Sequence, residues 1–160
     1  MKVFNSEYLN ELTSKAQCSP RKRQHRNIHE SYADPSQRFF NAIEPDSYIA
    51  PHRHATDPKD ELLIAVRGSM ALVTFDEHGM VTEVVRFGAD RNSDCLAVGA
   101  EVSANTWHTV IALEPGCVLL EVKAGPFDPN LPKDMASWAP VENGPDAKQY
   151  LEELTSRIIG

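Results

Sequence analysis

The two ends of the 160-residue chain carry apolar residues at helical spacing. Near the N-terminus this spacing predicts a short helix over 5–16, with Asn5 or Ser6 as its cap. Its apolar stripe consists of Tyr8, Leu9, Leu12 and Ala16. Near the C-terminus the same pattern predicts an amphipathic helix capped by Asp146, with Gln149 as capping-box partner. The apolar stripe of that helix consists of Ala147, Tyr150, Leu151, Leu154 and Ile158.

Between these helices the pattern changes to short apolar runs separated by polar turns. Turn sequences such as Asp76-Glu77-His78-Gly79 and Glu114-Pro115-Gly116 mark the breaks. The runs predict strands over 37–43, 47–54, 61–67, 69–75, 80–87, 95–98, 104–113 and 117–123. Seven or eight short strands, with turns about every 8–12 residues, are typical of an all-β sandwich or barrel.

The length of the chain predicts a single domain over 1–160. Its core barrel is expected at about 37–123, preceded by the N-terminal helix and a basic segment in 1–36. Residues 124–160 follow as a proline-rich strap and the C-terminal helix. Phe127 and Trp138 are the expected anchors of the strap.

Composition narrows the classes of partner. The net charge of −7 argues against nucleic acid or an anionic membrane as the main partner. No apolar run is long enough to span a membrane, and the N-terminus lacks the apolar region of a signal peptide. The three cysteines are widely spaced, which favours reduced thiols and a cytoplasmic location.

Three histidines and a glutamate form the candidate metal site. His52 and His54 are two residues apart, so an extended strand presents both imidazoles on one face. Glu61 opens the next strand and His108 lies in a late one. This is a ligand set for one divalent transition metal, with iron, manganese, nickel, cobalt and zinc all open. Asp60 takes the place of Glu61 if the strand register differs by one, since such a slip exchanges the two faces.

The segment 19–26 is strongly basic. Its simpler interpretation is a solvated loop or linker. The alternative is that its arginines fold over the mouth of a pocket and bind an anionic substrate.

The spacing of His52, His54, Glu61 and Gly68 resembles the first motif of the cupin superfamily. Asp46 replaces the usual leading glycine, and six residues instead of three or four separate His54 from Glu61. Of the second cupin motif, only the histidine is retained, at His108.

A broader set of segments resembles the WbuC-type cupin-fold metalloproteins over roughly 19–140. The segments are Ser19-Pro20-Arg21, Asn27, His29, Gln37-Arg38, Asn41-Ala42, Glu44-Pro45, Pro51-His52-Arg53-His54, Trp107-His108-Thr109, Ala112-Leu113-Glu114-Pro115, Glu121-Val122-Lys123, Gly125-Pro126 and Trp138-Ala139-Pro140. The resemblance implies a cupin-type jelly-roll β-barrel, with short helices at both ends. It also implies a metal held by His52, His54, Glu61 and His108, and an association with bacterial surface-polysaccharide genes. It implies no particular reaction.

The resemblance also suggests residues that bind substrate. Arg21, Asn27, His29 and Arg38 coincide with family motif positions, and Lys123 belongs with them. For a nucleotide-sugar ligand the aromatic and basic candidates include Tyr48, Phe39, Trp107, Arg38 and Lys123. The expected ligand is a small anionic or phosphorylated molecule, such as a sugar derivative. His29 as a fifth metal ligand is the less favoured alternative.

Three function classes therefore stay open: a metal-dependent isomerase or epimerase, a metal-dependent oxygenase, and a binding protein without catalysis. Fold resemblance cannot choose among them, because cupins host many chemistries. A homodimer is also expected, since a jelly roll leaves strand edges that need cover and both ends of the chain supply apolar faces.

Overall fold

This computed structural model describes residues 1–89, 97–131 and 133–159. These residues contain ten strands and two helices. In chain order they are α1 (Ser6–Cys18), β1 (Arg23–Asn27), β2 (Ser36–Ile43), β3 (His52–Arg53), β4 (Glu61–Arg67), β5 (Ser69–Phe75), β6 (Val81–Gly88), β7 (Gly99–Val102), β8 (Trp107–Ala112), β9 (Cys117–Ala124), β10 (Asp134–Met135) and α2 (Ala147–Ile159).

The strands form two five-stranded antiparallel sheets. One has the order β1-β2-β9-β4-β7 and the other the order β10-β3-β8-β5-β6. Some neighbours are consecutive in the chain, as in β5 and β6, whereas others are distant in sequence, as in β3 and β8, so long crossovers connect the two layers. The predicted all-β jelly-roll architecture with a helix at each end is confirmed.

The core lies between the two sheets and continues under both helices. Between the sheets pack Ile43, Leu63, Leu72, Phe87 and Leu119, all almost fully buried. Each such side chain contributes roughly 1.5–3 kcal/mol to folding by leaving water. Helix α1 covers the outer face of β2 and β9, and α2 covers the outer face of the second sheet. Strand β8 is therefore buried on both faces.

Both predicted helices are present. The Asn5 side chain caps α1 by accepting from the Tyr8 N–H. In α2 the apolar stripe packs on the core of its own domain. The predicted capping box is wrong in one respect, because the Gln149 amide donates to Glu153 further along the helix. Within the residues described here, neither helix is both long and apolar enough to cross a membrane.

The two aromatic residues that were predicted to anchor the strap, Phe127 and Trp138, both pack against other aromatic side chains. Trp138 packs against Phe75 and Trp107, with ring centroids 5.1 and 6.2 Å away. Phe127 packs edge-on against Tyr32 at 5.1 Å. These contacts fasten an irregular segment with few backbone hydrogen bonds of its own.

Four expectations about strands need correction. The basic segment is not a free loop, because 23–27 pairs with β2 as an edge strand. Its side chains are polar, so the sequence shows no apolar pattern that would predict a strand there. Of the predicted strand 47–54, only the end is extended in a sheet. The start of the segment is held by side chains instead: the Ser47 hydroxyl donates to the Arg21 carbonyl, and the Tyr48 hydroxyl donates to the Pro140 carbonyl.

The third correction concerns 95–98. Residues 97 and 98 precede β7, which begins at Gly99, while 95 and 96 lie outside the described residues. The strand predicted over 104–113 is shorter at its start, because Asn105 adopts a positive φ of 63° in the preceding turn.

Gly68 makes the tight connection between β4 and β5 possible, and we expect Gly68→Ala to be strongly destabilising. Its φ is 74°, and an added Cβ would lie 2.6 Å from the Cys117 Sγ. Gly116 is the matched control, since its φ is 76° and nothing lies within 4 Å of its added Cβ. Gly116→Ala should lower the free energy of unfolding by about 1–2 kcal/mol, the cost of the left-handed backbone. Gly68→Ala should lower it further, and equal effects in urea denaturation would show that the contact with Cys117 is harmless.

Candidate functional site

A cavity of about 540 Å³ opens between the two sheets. We call it the central cavity. Residues alternate between the two faces of a strand, so on β2 the odd-numbered positions face inward. The cavity is accordingly lined on β2 by Gln37, Phe39, Asn41 and Ile43. The apolar part of its lining includes Leu63 and Leu119 from the same sheet and Val110 from the other sheet.

Three of the four predicted ligand residues, His52, Glu61 and His108, line this cavity, and His54 lies beside them against Glu61. His52 on β3 and His108 on β8 are direct cross-strand partners, with ring centroids 4.5 Å apart. His54 follows β3, and Glu61 reaches in from the other sheet. The Glu61 Oε1 lies 3.0 Å from His54 Nε2, and its Oε2 lies 3.2 Å from His108 Nε2. We refer to these four residues as the His–Glu cluster.

Backbone contacts orient two of the imidazoles. His52 Nδ1 lies 3.0 Å from the Ala50 carbonyl oxygen, and His108 Nδ1 lies 2.8 Å from that of Thr106. An Nδ1–H that donates to a carbonyl leaves Nε2 unprotonated and directed into the site, which is the usual arrangement of a metal-binding histidine. Burial, followed by the positive charge of Lys133, holds the pKa of His52 well below its ordinary value. Its ring is therefore neutral.

The donor atoms of the cluster fit a divalent transition metal in kind: three imidazole nitrogens and one carboxylate. His54 Nε2 is buried, and although Glu61 lies within 3.0 Å, the direction is not that of a hydrogen bond. His54 Nε2 is therefore a possible metal-ligating atom that has no hydrogen-bond partner. Across the described ranges, however, no three His, Cys, Asp or Glu side chains already stand in the arrangement of a metal cage.

Two lysines contact the same atoms that a metal ion would use. Lys123 Nζ lies 2.8 Å from Glu61 Oε1, and Lys133 Nζ lies 3.2 Å from His52 Nε2. Lys133 is exposed as a whole residue, but its ammonium group reaches inward. A metal ion at the cluster would require both ammonium groups to turn away.

Buried charges near the cluster stabilise one another. Burial favours neutral Lys123, but the carboxylates of Glu121 and Glu61 outweigh it and raise the lysine pKa. Burial also opposes ionisation of Glu61, yet the adjoining rings of His108 and His54 and the charge of Lys123 lower its pKa far below the ordinary value. For Glu121, burial and the charge of Glu61 raise the pKa. The site therefore balances carboxylates against ammonium groups.

Of the predicted substrate-binding residues, the central cavity brings together Arg21, Asn27, His29 and Lys123. The two others lie elsewhere. Arg38 is on the outer face of β2, because it alternates with Gln37 and Phe39, and it pairs with Asp34 at 3.1 Å. Tyr48 packs in the core beside α2, where its hydroxyl donates to the Pro140 carbonyl.

Other charged candidates also have definite positions. Asp60 accepts a hydrogen bond from the Ala104 N–H, so Glu61 is the carboxylate that reaches the cluster. Arg21 and Arg23 border the cavity, but both bind Glu142 of the strap, at 2.8 and 2.6 Å. His25 lines the mouth of the cavity.

Sequence reasoning missed several polar residues of the cavity as site residues, among them Gln37, Asn41, Glu121 and Lys133. The alternation along β2 and β9 was a usable signal for the first three, since they share a face with Phe39 and Lys123. Lys133 had no local signal. It comes from an irregular proline-rich segment whose path is set by contacts distant in sequence.

A family model described as "Domain of unknown function (DUF6016)" matches residues 4–87. No curated protein matches the chain. Among solved structures, KdgF from Halomonas sp. is 15% identical with a TM-score of 0.52, and the match covers 71% of this chain and 88% of that one. The capsular polysaccharide assembling protein CapF from Staphylococcus aureus is 18% identical with a TM-score of 0.55, covering 73% and 32%. Oxalate decarboxylase from Bacillus subtilis is 18% identical with a TM-score of 0.51, covering 71% and 27%.

Likeness at this level of identity establishes the fold alone. The neighbours are cupin-fold proteins, so the predicted cupin fold is confirmed.

Proposed function

Since the chain belongs to the family described as a domain of unknown function, DUF6016, we propose a function from the site itself. The protein is a metal-binding cupin that acts as an enzyme on a small polar or anionic molecule. The single observation that carries this proposal is the convergence of His52, His54, Glu61 and His108 beside the central cavity, with two Nε2 atoms oriented by backbone carbonyls.

These four residues would hold one divalent transition metal, of which iron, manganese, nickel, cobalt and zinc are all compatible with the donor set. Such an ion, when bound, supplies a Lewis acid for a carbonyl or hydroxyl oxygen. The chain itself supplies the binding groups. Once released from Glu61 and His52, the ammonium groups of Lys123 and Lys133 are placed to bind an anionic group of the ligand, while the apolar wall excludes water.

The reaction class that we favour is isomerisation or epimerisation of a sugar or sugar nucleotide. It needs a ligand held in one orientation beside groups that accept and return a proton, and the cavity offers several polar side chains on one wall. The name of CapF, a capsular polysaccharide assembling protein of the same fold, supports a role near surface polysaccharides. The WbuC-type assignment belongs to this proposal and rests on the segments quoted from the sequence.

A binding protein without catalysis is the second candidate. The observation that favours it is the contact of Lys123 with Glu61 and of Lys133 with His52, which satisfies the cluster with the chain's own cations. A site of this kind can recognise an anion with no metal present.

Metal analysis separates the two candidates. Protein purified without a chelating tag should contain close to one equivalent of a transition metal per chain, with iron, manganese, nickel, cobalt and zinc quantified together. Protein without metal that does not take up any of these ions on titration would refute the metal-dependent function and leave the binding protein.

The proposal also includes a homodimer in the cytoplasm. Cys18 is free and exposed and Cys117 free and buried, which suits a reducing compartment. Strand β6 lies at a sheet edge and exposes Val81 and Val84, an apolar surface that a second copy can cover. Light scattering at micromolar concentration should give twice the chain mass, and the mass of one chain would refute the dimer.

A further inference from the structure

Two polar atoms on one wall of the central cavity are buried and have no hydrogen-bond partner: His29 Nε2 and Asn41 Oδ1. His29 is 7% exposed. Buried polar groups in proteins are nearly always hydrogen-bonded, and exceptions call for an explanation such as a missing ligand. Asn41 lies on β2, and His29 lies in the connection between β1 and β2.

The contacts of His29 determine what Nε2 offers. The Arg38 carbonyl accepts from the Ile28 N–H at 2.8 Å. A strand residue directs its N–H and C=O to the same side, so the Arg38 N–H also points toward His29. It meets His29 Nδ1 at 3.0 Å, and the Arg38 carbonyl oxygen lies 2.9 Å from the same nitrogen. When Nδ1 accepts from the Arg38 N–H, it carries no proton, and Nε2 is then an N–H donor.

Asn41 offers the complementary group. It is the cross-strand partner of His25 on β1 and of Leu119 on β9, and it shares the cavity face with Phe39. Its Oδ1 is an acceptor. The wall therefore presents one unsatisfied donor and one unsatisfied acceptor at two different rows of the sheet.

We propose that this wall is a hydroxyl-recognition subsite, at which His29 Nε2–H and Asn41 Oδ1 bind hydroxyl groups of a polyhydroxylated carboxylate. A hydroxyl group both donates and accepts, so several hydroxyls on one molecule satisfy both atoms. The register supports the orientation. Gln37 and Lys123 are cross-strand partners, as are Lys123 and Glu61. The carboxylate lies at the lysines, and the hydroxylated part extends along β2.

This inference rests on the proposed function and names the substrate class of the same site. It concerns residues outside the metal ligands, so the two ideas fail separately. Metal content measured in the same samples reports on the His–Glu cluster, and the preference for hydroxyl groups reports on the wall.

The test compares gluconate with hexanoate, which share chain length and charge and differ in their hydroxyl groups. Calorimetry on the native protein should show tighter binding of gluconate. Asn41→Leu should weaken gluconate binding about three- to tenfold, the loss expected for one neutral hydrogen bond. It should leave hexanoate binding and metal content unchanged. His29→Phe should give the same selective loss.

Asn41→Leu has a second readout that a structural role would not produce. Because Oδ1 has no partner, its removal should raise the melting temperature while gluconate binding weakens. The same substitution at Asn10, whose Oδ1 accepts from Arg67 on the surface, should leave gluconate binding unchanged.

Three outcomes would overturn the subsite. One is hexanoate binding as tightly as gluconate or more tightly, and the second is no detectable binding of gluconate at millimolar concentration. The third is Asn41→Leu lowering the melting temperature while gluconate affinity stays the same, which would show that Asn41 is structural.

Discussion

His52→Ala and His108→Ala should each remove most of the bound metal while the barrel stays folded. Even residues that only support metal ligands change affinity by about 10–100-fold, so loss of a ligand should exceed that range. Both side chains are almost fully buried at the cavity, whereas the core is formed by the strands and helices around it. Circular dichroism should therefore show native secondary structure, and elemental analysis should show a metal content far below that of the native protein.

His78→Ala is the matched control, because His78 lies in the turn between β5 and β6. It should retain the native metal content. Full metal content in both His52→Ala and His108→Ala would place the metal elsewhere. Glu61→Ala should also lose metal, and Asp60→Ala should not, since Asp60 binds the backbone of Ala104 instead.

Lys123→Met should cost about 3–5 kcal/mol of unfolding free energy in protein treated with a chelator. The ammonium group lies 2.8 Å from Glu61 and 3.1 Å from Glu121, and the three side chains are 10%, 4% and 13% exposed. Removing the cation leaves two buried carboxylates next to each other, and breaking a buried pair typically has an effect of about this size. Urea denaturation gives the difference directly.

The same substitution at Lys148 provides the comparison. That lysine is 3.7 Å from Glu152 on the surface of α2, and the two side chains are 87% and 66% exposed. Lys148→Met should change stability by only about 0–1 kcal/mol. Adding Glu121→Gln to Lys123→Met should recover part of the loss, because one buried charge is removed. Equal effects at Lys123 and Lys148 would contradict a buried charge network.

The pattern of apolar and polar residues along the chain predicted those strands and helices that are defined by continuous apolar runs or by contacts between residues close in sequence. The strands β4 and β5 begin and end where the sequence predicts, because continuous apolar runs there are interrupted by Gly68. The cap at Asn5 is likewise a local contact, made within one helical turn. The spacing of His52 and His54 and the composition around Glu61 and His108 were enough to propose the cluster, although not to place it in space.

Tertiary structure alone decided which polar side chains share the cavity. Strand β1 exists because β2 offers it an edge, and its own polar residues carry no apolar pattern. Arg38 faces outward because β2 pairs in one particular register, which assigns Gln37 and Asn41 to the cavity instead. Lys133 reaches His52 from 81 residues away. Periodicity describes a residue relative to its neighbours in the chain, whereas pairing register and long-range packing determine which side chains finally meet.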